Sequence, residues 1–305
     1  MSMKSVILDG YTVNAGDLSW EAIESAGSLT VYDRTKDSEI TDRIGDCDVV
    51  FTSKCHITRE VMDACPGIKF IGVMATGYDN VDIEAAKDKN IAVCNVPSYS
   101  TEGVAQHTFA LLLELCNRVG LHNDAVQDGK WSTSADFSLV ISPMFQLSGK
   151  TMGIIGYGAI GKRVGQIAEA FGMEVIPYSR DPERAVKADV ISLHCPATPE
   201  NKGFIDKDFI SQVKDGAYLI NTARGALINE RDLADAVKSG KLSGAAVDVV
   251  SKEPIEMKNP LLGIENLLIT GHMAWTSKEA RQIVCSTCAD NLKAFMNGEE
   301  LNRIV

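Results

Sequence analysis

Short apolar runs rich in β-branched residues alternate with amphipathic helical patterns along almost the whole chain, and this alternation restricts the fold more than any other feature. The first series of strand-like runs covers residues 5–8, 29–32, 48–52, 68–74 and 91–96, with helical patterns at 38–44, 58–64 and 82–89 among them. A second series starts at Thr151 and reads TMGIIG, MEVIPY, ADVISLH, AYLINT, GAAVDVV and NLLIT. Strands separated by helices build βαβ units, whose parallel sheet is covered on both faces and therefore apolar on both. The predicted class is α/β: two doubly wound parallel-sheet domains with a cleft between them. A chain of 305 residues is long enough for both.

The expected boundaries follow from where the rhythm breaks. Residues 1–99 with 284–305 form one domain and 100–283 the other. A long helical pattern, EGVAQHTFALLLELCN at 102–117, interrupts the alternation. The stretch 120–148 has no strand signal, contains Trp131 and Phe137, and reads as an arm. A final helix at 277–296 returns to the first domain.

Composition excludes several functions. The net charge of -11 argues against nucleic acid, which needs a basic surface. No apolar run approaches the roughly 20 residues that span a bilayer. The opening MSMKSVILDGYTVN enters a strand pattern at once without an apolar leader, so the expected location is cytoplasmic. The eight cysteines lie mostly among apolar neighbours and read as reduced, core-packing thiols. Cys285 and Cys288 form a CxxC within one helix, but no second pair closes a zinc site, so no metal is expected.

The strongest motif is GIIGYGAIGKRVGQIAEAFG. It places Gly156, Gly158, Ala159, Ile160 and Gly161 directly after a strand and at the opening of a helix. Gly156 permits a tight turn, Gly158 lets a pyrophosphate approach the backbone, and Gly161 lets helix pack on strand. The helix N-terminus offers free N–H groups and a positive dipole end. Gly149-Lys150-Thr151 resembles the end of a nucleoside-triphosphate loop, but Met144 stands where glycine is needed and Thr151 begins a strand. Dinucleotide binding is the reading. The next strand should end in Asp or Glu to hold the ribose of NAD; here Ser179 stands there and Arg180 follows. An arginine pairs with a 2′-phosphate, so NADP(H) is favoured over NAD(H).

Three side chains follow later strands of the second series: Arg224 in LINTARGALIN, Glu253 in AAVDVVSKEP and His272 in LITGHMAW. In doubly wound sheets, ligands bind beyond the strands' carboxyl ends. A guanidinium holds a carboxylate bidentately, an imidazolium donates a proton to a carbonyl oxygen, and a carboxylate beside the imidazole orients it. Together these types suit reduction of a 2-oxo acid.

The chain resembles the D-isomer-specific 2-hydroxyacid dehydrogenases over nearly its full length, through GIIGYGAIG, SLHCPATPENKGFI, LINTARGALINE, AAVDVVSKEP and HMAW in that order. Within that family it looks most like the glycerate dehydrogenase (hydroxypyruvate reductase) branch, through LDGYTVNAGDLSW, IGVMATGYDNVD and NVPSYSTEGVAQ. The resemblance implies a Rossmann coenzyme domain and a flavodoxin-like substrate domain. It implies NAD(P) as cofactor and hydroxypyruvate or glyoxylate as substrate, with Arg224, Glu253 and His272 catalytic. It places the substrate carboxylate on the Ala75, Thr76 and Gly77 amides, with Lys54 beside it. Val104 and Asp248 fall near the nicotinamide, and His194, Cys195 and Pro196 near the ribose; Thr222 and Ala223 complete the cofactor set. Residues 115–148 become the arm of a homodimer.

The resemblance has three departures. Ser179 replaces an acid, the 179–188 connection is short, and Gly271 replaces a proline, which should loosen the backbone before His272. Alternatives are a dinucleotide-sensing, non-catalytic scaffold and a reductase for another D-2-hydroxy acid. Formate oxidation is disfavoured, because Glu253 stands where that branch uses an amide.

Overall fold

The computed structural model describes residues 3–305, which divide into two compact units. One runs up to Ser100 and resumes from Thr276 to Val305; the other is Thr101–Trp275. Among the described residues, no helix is long and apolar enough to cross a membrane.

In the first unit β1 (Met3–Ile7), β2 (Gly27–Val31), β3 (Val49–Thr52), β4 (Phe70–Val73) and β5 (Ala92–Cys94) form a parallel sheet in the order β2-β1-β3-β4-β5. Ser5 pairs with Leu29 on one side and Val49 on the other. Every residue of β3 (VVFT) and β4 (FIGV) is buried, so neither strand alternates. A central parallel strand has no solvent face for polar residues to occupy. The edge strand β2, GSLTV, is largely open and alternates polar with apolar residues. Helices α1 (Glu21–Glu24), α2 (Ile40–Ile44), α3 (Arg59–Ala64) and α4 (Ile83–Asp88) link the strands. Thr58 and Asp82 cap α3 and α4 by accepting from Val61 N and Ala85 N.

The second unit begins with α5 (Thr101–Asn117) and α6 (Val119–Gln127). Its strands are β6 (Thr151–Ile155), β7 (Glu174–Pro177), β8 (Val190–Leu193), β9 (Ala217–Asn221), β10 (Leu242–Val247) and β11 (Leu267–Ile269), ordered β11-β10-β9-β8-β6-β7. α7 (Ala159–Ala170), α8 (Pro182–Val186), α9 (Lys207–Gln212) and α10 (Glu230–Lys238) alternate with them. Residues along one strand feed opposite cores. Met152 and Ile154 pack toward α5 and α7, whereas Ile155 packs with Ile191, Leu193, Phe209 and Leu233 on the other face. Each such fully buried aliphatic contributes roughly 1.5–3 kcal/mol.

The short connection foreseen after Ser179 has a topological cause. The usual dinucleotide-binding order, 3-2-1-4-5-6, places a third strand outside the second. Here only α8 lies between β7 and β8, and β8 pairs directly with β6. The sheet therefore ends at β7. β6 and β8 stand where the chain switches from one side of the sheet to the other.

α11 (Lys278–Met296) lies whole in the first unit, where Phe295 packs on Phe70 at 5.2 Å between ring centroids. The return crossing thus falls at residues 275 and 276, ahead of the expected 284, because a continuous helix does not divide between two cores. Cys285 and Cys288 are buried on α11; burial pushes the first thiol up to about 11 and the second higher. The chain's end then pairs antiparallel with β5: Val93 N donates to Val305 O at 3.1 Å and Ile304 N to Val93 O at 2.7 Å.

The stretch expected to be an arm consists of the end of α5, α6 and an irregular segment anchored by Phe145, which stacks on Tyr218 at 4.7 Å. Between these anchors Phe137 is 93% exposed, Val140 63% and Met144 55%. Trp131 is half-exposed, its indole donating to Phe137 O.

Candidate active site

The glycine turn after β6 is built by close backbone contact. Gly156 has φ +96°, and a Cβ there would lie 2.4 Å from Cys195 N, against the loop after β8. A Cβ on Gly161 would lie 2.1 Å from Gly156 O, so the first turn of α7 rests on the turn itself. Gly158, the N-cap of α7, has nothing within 4 Å of its Cβ position. Beside it Ala159 and Ile160 open a twelve-residue helix whose first N–H groups lack intrahelical acceptors. An open backbone cradle at a positive helix end fits the pyrophosphate of a dinucleotide.

The surrounding residues divide into exposed and sealed groups. Ser179 and Arg180 are exposed beyond β7, with the Arg180 guanidinium 5.7 Å from the Tyr157 ring in the glycine turn. Arg184 is held by Glu174 at 2.6 Å and Asp181 at 3.8 Å. Val104 is buried on α5. Thr222 is buried too, its hydroxyl 3.1 Å from that of Thr108, and Ala223 N donates to Asn221 Oδ1. Pro196 is exposed and Cys195 half-buried, its thiol raised by burial. His194 N donates to Ile155 O at 2.7 Å, and its Nε2 lies 2.8 Å from Ser192 Oγ. Burial holds this imidazole neutral and pushes its pKa down to about 3.

His272 and Glu253, far apart in sequence, meet: Nδ1 lies 2.6 Å from Glu253 Oε2. A carboxylate only accepts, so Nδ1 carries the proton in that contact, leaving Nε2 as the ring's other working nitrogen. The second oxygen of Glu253 accepts from Val250 N at 3.2 Å. His272 has φ +52°, a left-handed conformation that costs a non-glycine residue on the order of 1–3 kcal/mol and persists only where neighbours enforce it.

Asp248 is the enforcing neighbour. Its carboxylate accepts from Thr270 Oγ1 at 2.5 Å, Met273 N at 2.9 Å and Ala274 N at 2.9 Å, and its carbonyl accepts from His272 N at 2.7 Å. Burial would raise this carboxyl; donors from His107, Thr270, Ala274 and Met273 outweigh it and hold the group below its usual range. Beside Gly271, which was expected to loosen this backbone, hydrogen bonds to Asp248 from Thr270 on one side and from Met273 and Ala274 on the other flank His272. Asp248, expected near the nicotinamide, is sealed with both oxygens engaged.

Arg224 is exposed past β9 and makes a local bond from Nη1 to Ala223 O. Its carbonyl accepts from the buried Asn221 amide. A Cβ on Gly225 would lie 2.0 Å from Val250 C, so the arginine loop abuts the backbone that leads to Glu253. Glu230 ties the same loop by accepting from Ser251 N at 2.6 Å and Asn259 Nδ2 at 2.9 Å. Asn221, Gly225, Glu230, Thr270 and His107 all support the site and were missed from sequence. The signal available was polar residues set among apolar ones, most plainly His107 within VAQHTFALLL.

In the first unit Lys54 is exposed after β3. The buried Asp9 carboxylate fixes its loop, accepting from Ser53 N, Lys54 N and Cys55 N. After β4, Asn95 donates to Thr76 O, Val96 N to Ala75 O, and Thr76 Oγ1 to Val96 O. Two of these bonds use the carbonyls of Thr76 and Ala75, and the third uses the Thr76 hydroxyl. Among the described residues, no group of three or more His, Cys, Asp or Glu is placed to hold a metal ion.

Comparison with known proteins assigns the class. The profile of the D-isomer specific 2-hydroxyacid dehydrogenase NAD binding domain matches residues 109–274, over half the chain. The hydroxypyruvate reductase of Blautia hydrogenotrophica is 46% identical, with 98% of this chain and 99% of that protein covered. The glycerate dehydrogenase of Methylorubrum extorquens is 37% identical over 87% of each. Among solved structures, an acyclic imino acid reductase in complex with NADPH and D-Arg has a TM-score of 0.85 at 28% identity, covering 99% of this chain and 100% of that one. The D-lactate dehydrogenase of Aquifex aeolicus, complexed with NAD and lactic acid, has 0.82 at 30%, covering 96% of each. The chain belongs to the D-isomer-specific 2-hydroxyacid dehydrogenases. It is thus an oxidoreductase that uses NAD(P) and acts on the CH–OH group of a 2-hydroxy acid.

The His194 imidazole, held neutral in the fold, makes stability depend on pH. Its folded-state pKa is depressed, so below the ordinary value of 6.5 the unfolded chain binds a proton that the fold refuses. Its contribution is complete above about 6.5 and falls away toward about 3. Urea midpoints between pH 7.5 and 5 should decline, and His194→Gln, which cannot charge, should flatten the decline. An equal slope in both proteins would remove His194 as its source.

Proposed function

We propose that the chain reduces hydroxypyruvate, and glyoxylate beside it, to the D-2-hydroxy acid in a reversible reaction. The 2.6 Å contact between His272 Nδ1 and Glu253 carries this reading, because it directs one imidazole nitrogen to a carboxylate and keeps the other for the substrate. Bound NAD(P)H supplies the hydride that reaches the carbonyl carbon. His272 Nε2 gives its proton to the carbonyl oxygen, leaving a neutral imidazole that rebinds a proton from solvent; the reverse reaction returns it. Glu253 stabilises the charged ring and aims it. The exposed Arg224 holds the substrate carboxylate and polarises the adjacent carbonyl. The Ala75, Thr76 and Gly77 amides and Lys54 hold a carboxylate in the same reading. The relatives' names support a short substrate side chain.

Arg224→Ala should lower kcat/KM for hydroxypyruvate by at least about 100-fold, the scale of losing a charge-assisted pair. His272→Asn should slow reduction by about 100-fold or more while cofactor binding, followed by nucleotide fluorescence, persists. Near-normal turnover in both variants would remove the proposed chemistry.

NADP(H) is the proposed preference. The support is local: no acid at Ser179, Arg180 poised beside the glycine turn, and Arg184 already paired with Glu174 and Asp181. Arg180→Ala should reduce kcat/KM with NADPH by about 10- to 100-fold and leave NADH nearly unaffected. A wild-type preference for NADH would end this assignment.

A homodimer and a cytoplasmic setting complete the reading. The exposed Trp131, Phe137, Val140 and Met144 form the kind of apolar surface that a second copy covers. All eight thiols are unpaired, as in a reducing compartment. Sedimentation should give twice the chain mass, with Phe137→Asp shifting it toward the monomer. A monomeric wild type would exclude the dimer.

A further inference from the structure

The Thr270 hydroxyl has one proton, and at 2.5 Å that proton goes to Asp248 Oδ1. Toward His107, therefore, Thr270 Oγ1 can only accept. His107 Nε2 lies 3.0 Å from that oxygen and 3.5 Å from Asp248 Oδ1, so Nε2 bears hydrogen and donates into the pair. A chain of donors thus runs from α5 through Thr270 to Asp248. Asp248 in turn gathers the N–H groups of His272, Met273 and Ala274. His107 shares a helix face with the buried Val104, Thr108 and Leu111.

We infer that His107 is a positioning residue for proton transfer. Its Nε2–H fixes the Thr270 hydroxyl on Asp248, and that carboxylate holds Met273 N and Ala274 N directly after the strained His272, whose own N–H goes to the Asp248 carbonyl and whose ring rests on Glu253. Without this donor, Thr270 can rotate away and Asp248 loses the partner that orders one side of the loop. His272 then samples positions from which Nε2 misses the substrate oxygen, although the fold and the glycine turn are untouched. The inference rests on His272 being the proton donor.

The test uses the full-length enzyme with hydroxypyruvate. His107→Leu should lower kcat by about 10- to 100-fold, the usual scale for losing a group that aims a reacting side chain. KM and NAD(P)H affinity should barely change, and rates are normalised to cofactor-binding sites. His107→Gln, whose amide nitrogen donates from near the Nε2 position, should recover most of the rate; a purely structural role would show no such selective rescue. If the Leu variant does not fold, His107→Asn, too short to reach Thr270, replaces it. Proton–nitrogen correlation of the wild type should show a slowly exchanging hydrogen on His107 Nε2. A normal kcat in the Leu or Asn variant, or a proton on Nδ1 alone, overturns the inference. His272→Asn measured in parallel separates the failures. If it is inactive while His107→Leu is normal, only the clamp falls; if it stays active, the proton-donor reading falls and the clamp with it.

Discussion

A buried carboxylate is tolerable only when donors surround it, and Asp248 turns that requirement into geometry. The strand β10 delivers it to a sealed position, where neighbouring segments must present N–H or O–H groups or leave a charge unsolvated. The loop after β11 supplies most of them, and α5 supplies the side chain behind them. One electrostatic demand therefore fixes three elements at once. It also sustains the left-handed backbone of His272, which isolated chain would abandon.

The first unit meets the same kind of demand with a different residue. Its sheet order changes direction between β1 and β3, and there Asp9 collects three successive amides of the loop that follows β3. At the corresponding switch in the second unit, between β6 and β8, the contact is backbone against backbone, Gly156 on Cys195. The difference is one of geometry: the glycine turn is left open by the absence of side chains, whereas the loop bearing Lys54 is anchored by a buried carboxylate.

Much of this was legible in the sequence. Buried parallel strands such as VVFT and VISL announce themselves because both faces must be apolar. The glycine turn is legible because its spacing encodes steric limits. The types Arg224, Glu253 and His272 were singled out by their chemistry and by the family resemblance, and of the three the structure joins Glu253 to His272. What holds them was not. His107 and Thr270 are 163 residues apart, and nothing local in either records the other. The missing outer strand was visible only as a short connection, since chain length says how much was omitted but not which pairing replaced it. The glycine before His272 could be judged only by its local freedom, because the bonds that its neighbours make to Asp248 come from 22 to 26 residues away.

The antiparallel pairing of residues 302–305 along β5 has a consequence for how the molecule behaves among its neighbours. An open strand edge offers unsatisfied N–H and C=O groups on which another chain can template, the usual start of sheet-mediated aggregation. Here the carboxyl-terminal residues occupy that rim, donating and accepting at Val93. Residues 302–305 thus cover one rim of the first sheet and leave fewer of its backbone groups open to another chain.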